Sequence, residues 1–159
     1  MSERYEYSIE NFMDCLRTGY VDSSFDSDAR YTPRFVTNNS ASNTSLLAVL
    51  SQQLRDCDSF DIAVAFISDG GLQALIELLN VLRDKGIQGR LLTSTYLNFN
   101  KPASLEKLLR YSNLETRVYE GNLHAKGYLF KKGSIGTAII GSSNLTQTAL
   151  KENKEWNIL

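Results

Sequence analysis

Six consecutive apolar residues, Ile62-Ala63-Val64-Ala65-Phe66-Ile67, are followed at once by a segment in which Leu72, Leu75, Ile76, Leu79 and Leu82 recur at helical spacing. A strand that is apolar on both sides needs cover on both sides, as in a parallel sheet with crossover helices. Ser59 to Ile67 is therefore read as a central strand. The helix after it is read as capped by Asp69 and stopped by Gly86. Gly89 to Thr95 supplies the next strand, Pro102 marks a helix running to about Tyr111, and Leu114 to Tyr119 is a third strand. This β-α-β-α-β order implies parallel pairing.

The flanks follow the same logic. His124 to Phe130 and Thr137 to Gly141 read as two strands of an antiparallel hairpin turned at Gly133 and Gly136. A short helical turn begins near Asn144, and Trp156 to Leu159 is a last strand. Upstream, Thr44 to Asp56 is a helix with Leu46, Leu47, Leu50 and Leu54 as its buried stripe. Arg34 to Thr37 is a short strand, and residues 20–33 are a polar, acidic arm. Ser8 caps a first helix with Ile9, Phe12, Met13 and Leu16 on one face, ending at Gly19. The expected class is α/β, a mixed sheet with helices on both faces. Residues 1–42 form an N-terminal helix and arm, and 43–159 the main domain. Because the chain stops on an apparent strand, a fragment of a longer protein is expected.

At 159 residues one domain can bury a real core without staples. No apolar run reaches the roughly 18 residues of a membrane span, and the start Met1-Ser2-Glu3-Arg4 lacks the order of a signal peptide. Cys15 and Cys57 form neither a close pair nor a metal-type cluster, which points to a reducing, cytoplasmic setting. The net charge of −1 argues against a protein that coats nucleic acid along its whole surface. Its distribution is uneven. Residues 1–30 hold seven carboxylates against three arginines, whereas Gly121 to Lys151 holds none and has Lys126, Lys131, Lys132 and Lys151. A local cationic zone suits a phosphate-bearing substrate.

Within that zone, and just beyond it, lie His124-Ala125-Lys126, then Gly141-Ser142-Ser143-Asn144, then Glu155. His124, the one histidine of the chain, offers a nucleophilic ring nitrogen. Lys126 and Asn144 can stabilise non-bridging phosphate oxygens, with Ser142 as a further donor. Glu155 can orient the imidazole through its second nitrogen. If His124 and Lys126 share a strand, being two apart puts them on one face. The turn at 141–144 would add backbone N–H groups at a helix start. No His, Cys and Asp grouping offers a metal site, so no metal or other cofactor is expected.

The order His-x-Lys, Gly-Ser-x-Asn and a downstream Glu resembles the signature of the phospholipase D superfamily. The resemblance extends from about Asn43 to Leu159. Ser59-Phe60-Asp61-Ile62-Ala63-Val64-Ala65-Phe66 and Gly141-Ser142-Ser143-Asn144-Leu145-Thr146 look like the phospholipase D-like domain at the N-terminus of bacterial DEAD/DEAH-box helicase and restriction-repair proteins. The resemblance implies a phospholipase D/nuclease-like fold and a metal-independent phosphodiesterase. In such an enzyme His124 attacks phosphorus, a phosphohistidine forms, and water then cleaves it. It also implies a nucleic-acid substrate, DNA above all, and a helicase domain in the same full-length chain. Such sites use two motif copies, so one copy here implies a homodimer sharing its active site.

The pattern departs from the family at one point. The full motif has an aspartate seven positions after the histidine, and here that residue is Lys131. An inactive module that binds nucleic-acid phosphate is therefore the alternative. Phospholipid turnover is disfavoured, since no amphipathic membrane-binding helix or lipid anchor is present.

Overall fold

The two crossovers set the architecture. In the computed structural model, which describes residues 33–159, β2 (Ser59–Val64), β3 (Gln88–Ser94) and β4 (Leu114–Tyr119) pair in parallel in that order. They are joined by α2 (Asp69–Asp84) and α3 (Pro102–Leu108). Before them come β1 (Phe35–Val36) and α1 (Leu46–Asp56). After them come β5 (Lys126–Lys132), β6 (Ile135–Gly141), α4 (Gln147–Lys151) and β7 (Asn157–Ile158). The sheet order is β1-β7-β6-β5-β2-β3-β4, with β5 antiparallel to β2, β6 to β5 and β7 to β6. The mixed sheet with flanking helices is the expected class. The Ser8-capped helix, nearly all of the acidic arm and Cys15 lie outside the described residues.

Among the described residues the helices form one layer. Both crossovers step across the sheet in the same direction, and right-handed connections then put α2 and α3 on the same side. α1, α2 and α4 touch one another in that layer. Their apolar stripes meet Phe60, Ile62, Val64, Leu91, Tyr128, Phe130 and Ile139 in one core. Among the described residues the other face presents the alternate side chains. Arg90 forks onto Asp61 at 2.6 and 2.7 Å, and Leu92, Leu129 and Ile140 are exposed. β2 itself alternates buried with half-buried positions.

Several helix ends differ from their expected form for local reasons. α1 begins at Leu46, because Ser45 is the cap and its hydroxyl accepts the Ala48 N–H at 3.2 Å. Leu46, Leu50 and Leu54 are fully buried, each stabilising the fold by about 1.5–3 kcal/mol, and Leu47 is only partly so. α2 is capped by Ser68, whose hydroxyl accepts the Gly71 N–H at 3.1 Å. Asp69, already inside the first turn, accepts Ser104 at 3.0 Å and Lys107 at 2.6 Å and so ties α2 to α3. On α2, Leu78 is buried where Ile76 was expected to be. Gly86, at φ 70°, ends α2, with Gly86 N–H on Arg83 O and Ile87 N–H on Leu82 O.

Topology also fixes where a site can form. The parallel strands β2, β3 and β4 all end at one edge of the sheet. There β5 begins, with Lys126 opposite Val64, and β6 ends, with Gly127 opposite Ile140. The segments 65–68, 95–100, 120–125 and 142–146 therefore converge outside the carboxyl ends of parallel strands, where open α/β sheets place their ligands. Lys131 and Lys132 sit at the other end of β5, level with Ser59. A seven-residue strand at about 3.3 Å per residue keeps them roughly 17 Å from Lys126 along β5. The cationic zone of the sequence is therefore divided between two ends of the sheet.

Candidate active site

His124 lies just before the strand that was expected to contain it. β5 starts at Lys126, although Ala125 O still accepts the Ala65 N–H at 3.0 Å. Within the strand itself the alternation runs from Lys126 to Tyr128. The His124 imidazole is exposed and is placed by aromatic edges, 6.0 Å from Phe66 at 70° and 5.6 Å from Tyr96 at 64°.

Lys126 folds back so that its ammonium donates to the His124 carbonyl at 3.0 Å. Burial holds the Lys126 pKa below the usual lysine range, and the Glu155 charge offsets part of that effect. Tyr128, two residues on and fully buried, has its phenol pushed up by burial first and by Glu155 second. Its hydroxyl donates to Ser143 O at 3.0 Å.

Glu155 itself is bonded differently from expectation. Its carboxylate accepts the Ser142 hydroxyl and, at 3.4 Å, the Asn153 amide. No hydrogen bond joins it to His124. Ser142 is thereby committed: its Oγ donates to Glu155 and accepts the Trp156 N–H at 3.0 Å. The Gly141–Asn144 turn also differs from an anion-binding nest. Ser142 N–H donates to Trp156 O, Ser143 N–H to Asn157 Oδ1 and Leu145 N–H to Phe66 O. The helix that follows starts later, at Gln147, capped by Thr146. Three of the turn's donors, the N–H groups of Ser142, Ser143 and Leu145, are thus engaged within the fold, which leaves charge stabilisation largely to side chains.

Asn144 is suited to that task. Its Oδ1 accepts the Phe66 N–H at 3.1 Å, which fixes the amide with its NH2 turned the other way. His124, Lys126, Ser142, Asn144 and Glu155 thus lie at one edge of the sheet, where Phe66 meets both Asn144 and His124, Lys126 bonds the His124 carbonyl, and Glu155 bonds Ser142.

Three further residues hold this edge together. Asn157 is buried, bridging Ser143 Oγ at 2.9 Å and Val36 O at 3.3 Å. Gly141 lets Trp156 and Asn157 approach, since a Cβ there would collide with the Trp156 carbonyl. Asn100 accepts the Ile67 N–H at 2.6 Å and donates to Ala65 O, Thr93 Oγ1 and Ser94 O, each at 2.8 Å. The sequence gives a signal for Asn157, two residues after Glu155 on a strand. It gives none for Asn100, a loop residue outside any periodic pattern.

A family model described as cardiolipin synthase, PLD-like domain, matches residues 50–159, from within α1 through the whole site. The chain belongs to the phospholipase D-like domain family. No curated protein matches this phospholipase D-like chain. Among solved structures it is similar to NucT from Helicobacter pylori, at 16% identity and TM-score 0.63, over 79% of this chain and 82% of that one. It is also similar to the phospholipase D family member Nuc from Salmonella typhimurium, at 19% identity and TM-score 0.57, over 79% and 81%. Phosphatidylserine synthase from Haemophilus influenzae aligns at 12% identity and TM-score 0.58, with 80% of this chain covering 34% of that one. At these identities the likeness is one of fold. In this phospholipase D-like domain no three His, Cys, Asp or Glu side chains gather as a metal site requires, among the described residues. Among the same residues, no helix is long and apolar enough to cross a membrane.

Proposed function

We propose that this domain is a metal-independent phosphodiesterase that cleaves nucleic acid, DNA above all, through a phosphohistidine. The observation that carries the reading is the convergence of one exposed imidazole, one ammonium and one fixed amide at the sheet edge. His124 attacks phosphorus with a ring nitrogen, the phosphorus–oxygen bond to the leaving alcohol breaks, and the Nζ of Lys126 and the NH2 of Asn144 stabilise the non-bridging oxygens. Water then displaces the histidine and releases the phosphate monoester. Protonating the leaving oxygen needs a second acid, and the chain has one histidine. A twofold homodimer in which each copy lends its His124 to a shared cleft meets that need. We place the domain beside a helicase in its full-length chain, on the resemblance carried by Ser59–Phe66 and Gly141–Thr146.

The test is cleavage of labelled single- and double-stranded DNA in excess EDTA, with His124→Ala in parallel and the oligomeric state measured by sedimentation. Chelator-resistant cleavage that vanishes in the variant supports the reading. One observation favours the alternative of a phosphate-binding module without turnover: Glu155 is bonded to Ser142 and not to His124. Binding that weakens steeply with salt, with no cleavage by a folded dimer, would support that alternative.

A further inference from the structure

Beside the His124 imidazole stands a wall of three rings. Phe66 and Tyr96 stack at 5.9 Å and 7°, and Phe99 tilts against Phe66 at 4.7 Å and 38°. Phe66 and Tyr96 each meet the imidazole edge-on. They are half-buried, whereas Phe99, two ring contacts from His124, is 46% exposed.

Tyr96 and Phe99 belong to a loop of unusual backbone. Leu97 and Asn98 are both left-handed, at φ 54° and 51°. That conformation costs an ordinary L-residue roughly 1–2 kcal/mol, and asparagine tolerates it better. Leu97 is 73% exposed, so no burial of its side chain offsets the strain. What the two left-handed residues achieve is to turn the chain so that Phe99 returns onto Phe66. Asn100 then locks the end of the loop with its four hydrogen bonds to the tips of β2 and β3. The loop is thus strained, anchored, aromatic and adjacent to the nucleophile.

We propose that the 95–100 loop is a subsite for an unpaired nucleobase next to the scissile phosphate. The open side of Phe99 stacks the base, while Tyr96 and Phe66 separate it from the imidazole. The proposal rests on the phosphodiesterase reading and adds to it a preference for single strands. A base inside a duplex has both faces occupied by its neighbours and has none to offer Phe99. Stacking of this kind is tolerant of sequence, because every base has a π-face.

The experiment compares a single-stranded oligonucleotide with a strand of equal length carrying abasic tetrahydrofuran residues, using the full chain and its Phe99→Ala and Phe99→Leu variants. Phe99→Ala is expected to lower kcat/KM on the base-bearing strand by roughly 5- to 150-fold and to leave the abasic strand unchanged. Phe99→Leu keeps the apolar contact with Phe66 but lacks a flat face, and is expected to fall with Phe99→Ala. Equal losses on both strands, or none on either, overturn the subsite. So does full retention by Phe99→Leu, which would mark a plain apolar contact such as an acyl chain makes. If the wild type cleaves neither strand, the phosphodiesterase reading fails by itself. Equilibrium binding of the same two strands to wild type and Phe99→Ala then decides the subsite.

Discussion

The side-chain carbonyl of Asn144 accepts the backbone N–H of Phe66 at 3.1 Å, 78 positions away in sequence. One hydrogen bond thus joins the residue proposed to bind phosphate to the ring beside the proposed nucleophile. An amide suits the proposed role: its oxygen holds the fold and its NH2 is left for a substrate.

Asn144→Asp separates those two roles. A carboxylate still accepts from Phe66 but presents an anion where a donor stood. Thermal unfolding is expected to stay close to wild type, while kcat falls by about 10²–10³. Asn144→Leu is expected to lose both, and paired unfolding and turnover measurements check the split.

Lys126→Met removes a half-buried charge. The folded pKa of Lys126 lies below its unfolded value, chiefly through burial. The protonated form is therefore disfavoured by folding, a cost fully present below the folded pKa and gone above the unfolded value of about 10.4. Urea unfolding at neutral pH is expected to show the variant more stable than wild type. That advantage should shrink as pH rises through the lysine range, and cleavage should be lost throughout.

Asn100→Ala leaves the Ile67 N–H without its acceptor and removes three donor contacts. A loss of about 1–3 kcal/mol is expected in urea unfolding. The 95–100 loop should also become more susceptible to limited proteolysis, because its anchor is gone.

Gly141→Ala forces a methyl into the Trp156 carbonyl and the Asn157 side chain. Overpacking of this kind costs about 1–3 kcal/mol. Because Glu155 immediately precedes this contact, turnover is expected to fall along with the unfolding midpoint. A change at Asn157 cannot relieve the whole clash, since the nearest partner is the Trp156 backbone carbonyl.

Ser142→Ala tests the carboxylate's anchor. Glu155 loses the hydroxyl and Trp156 N–H loses its acceptor. A fall in kcat with little change in KM is expected, and steady-state kinetics at fixed pH read it. An unchanged kcat would mean that Glu155 needs no help from Ser142.

The sequence by itself determined the element order, the parallel central strands and the five residues that meet at the sheet edge. Hydrophobic period and cap chemistry act over a few residues, and a motif records residue types at fixed spacing, so both are local information. Folding on the sheet decided the rest. It put both crossover helices on one face, since that follows from handedness and strand order. It moved Lys131 to the far end of β5, which separates the missing motif aspartate from the chemistry. It used the N–H groups of Ser142, Ser143 and Leu145 for bonds to Trp156, Asn157 and Phe66, and it bonded Glu155 to Ser142 instead of His124. The aromatic wall and the Asn100 brace were legible only in three dimensions, because each joins segments that no local pattern connects.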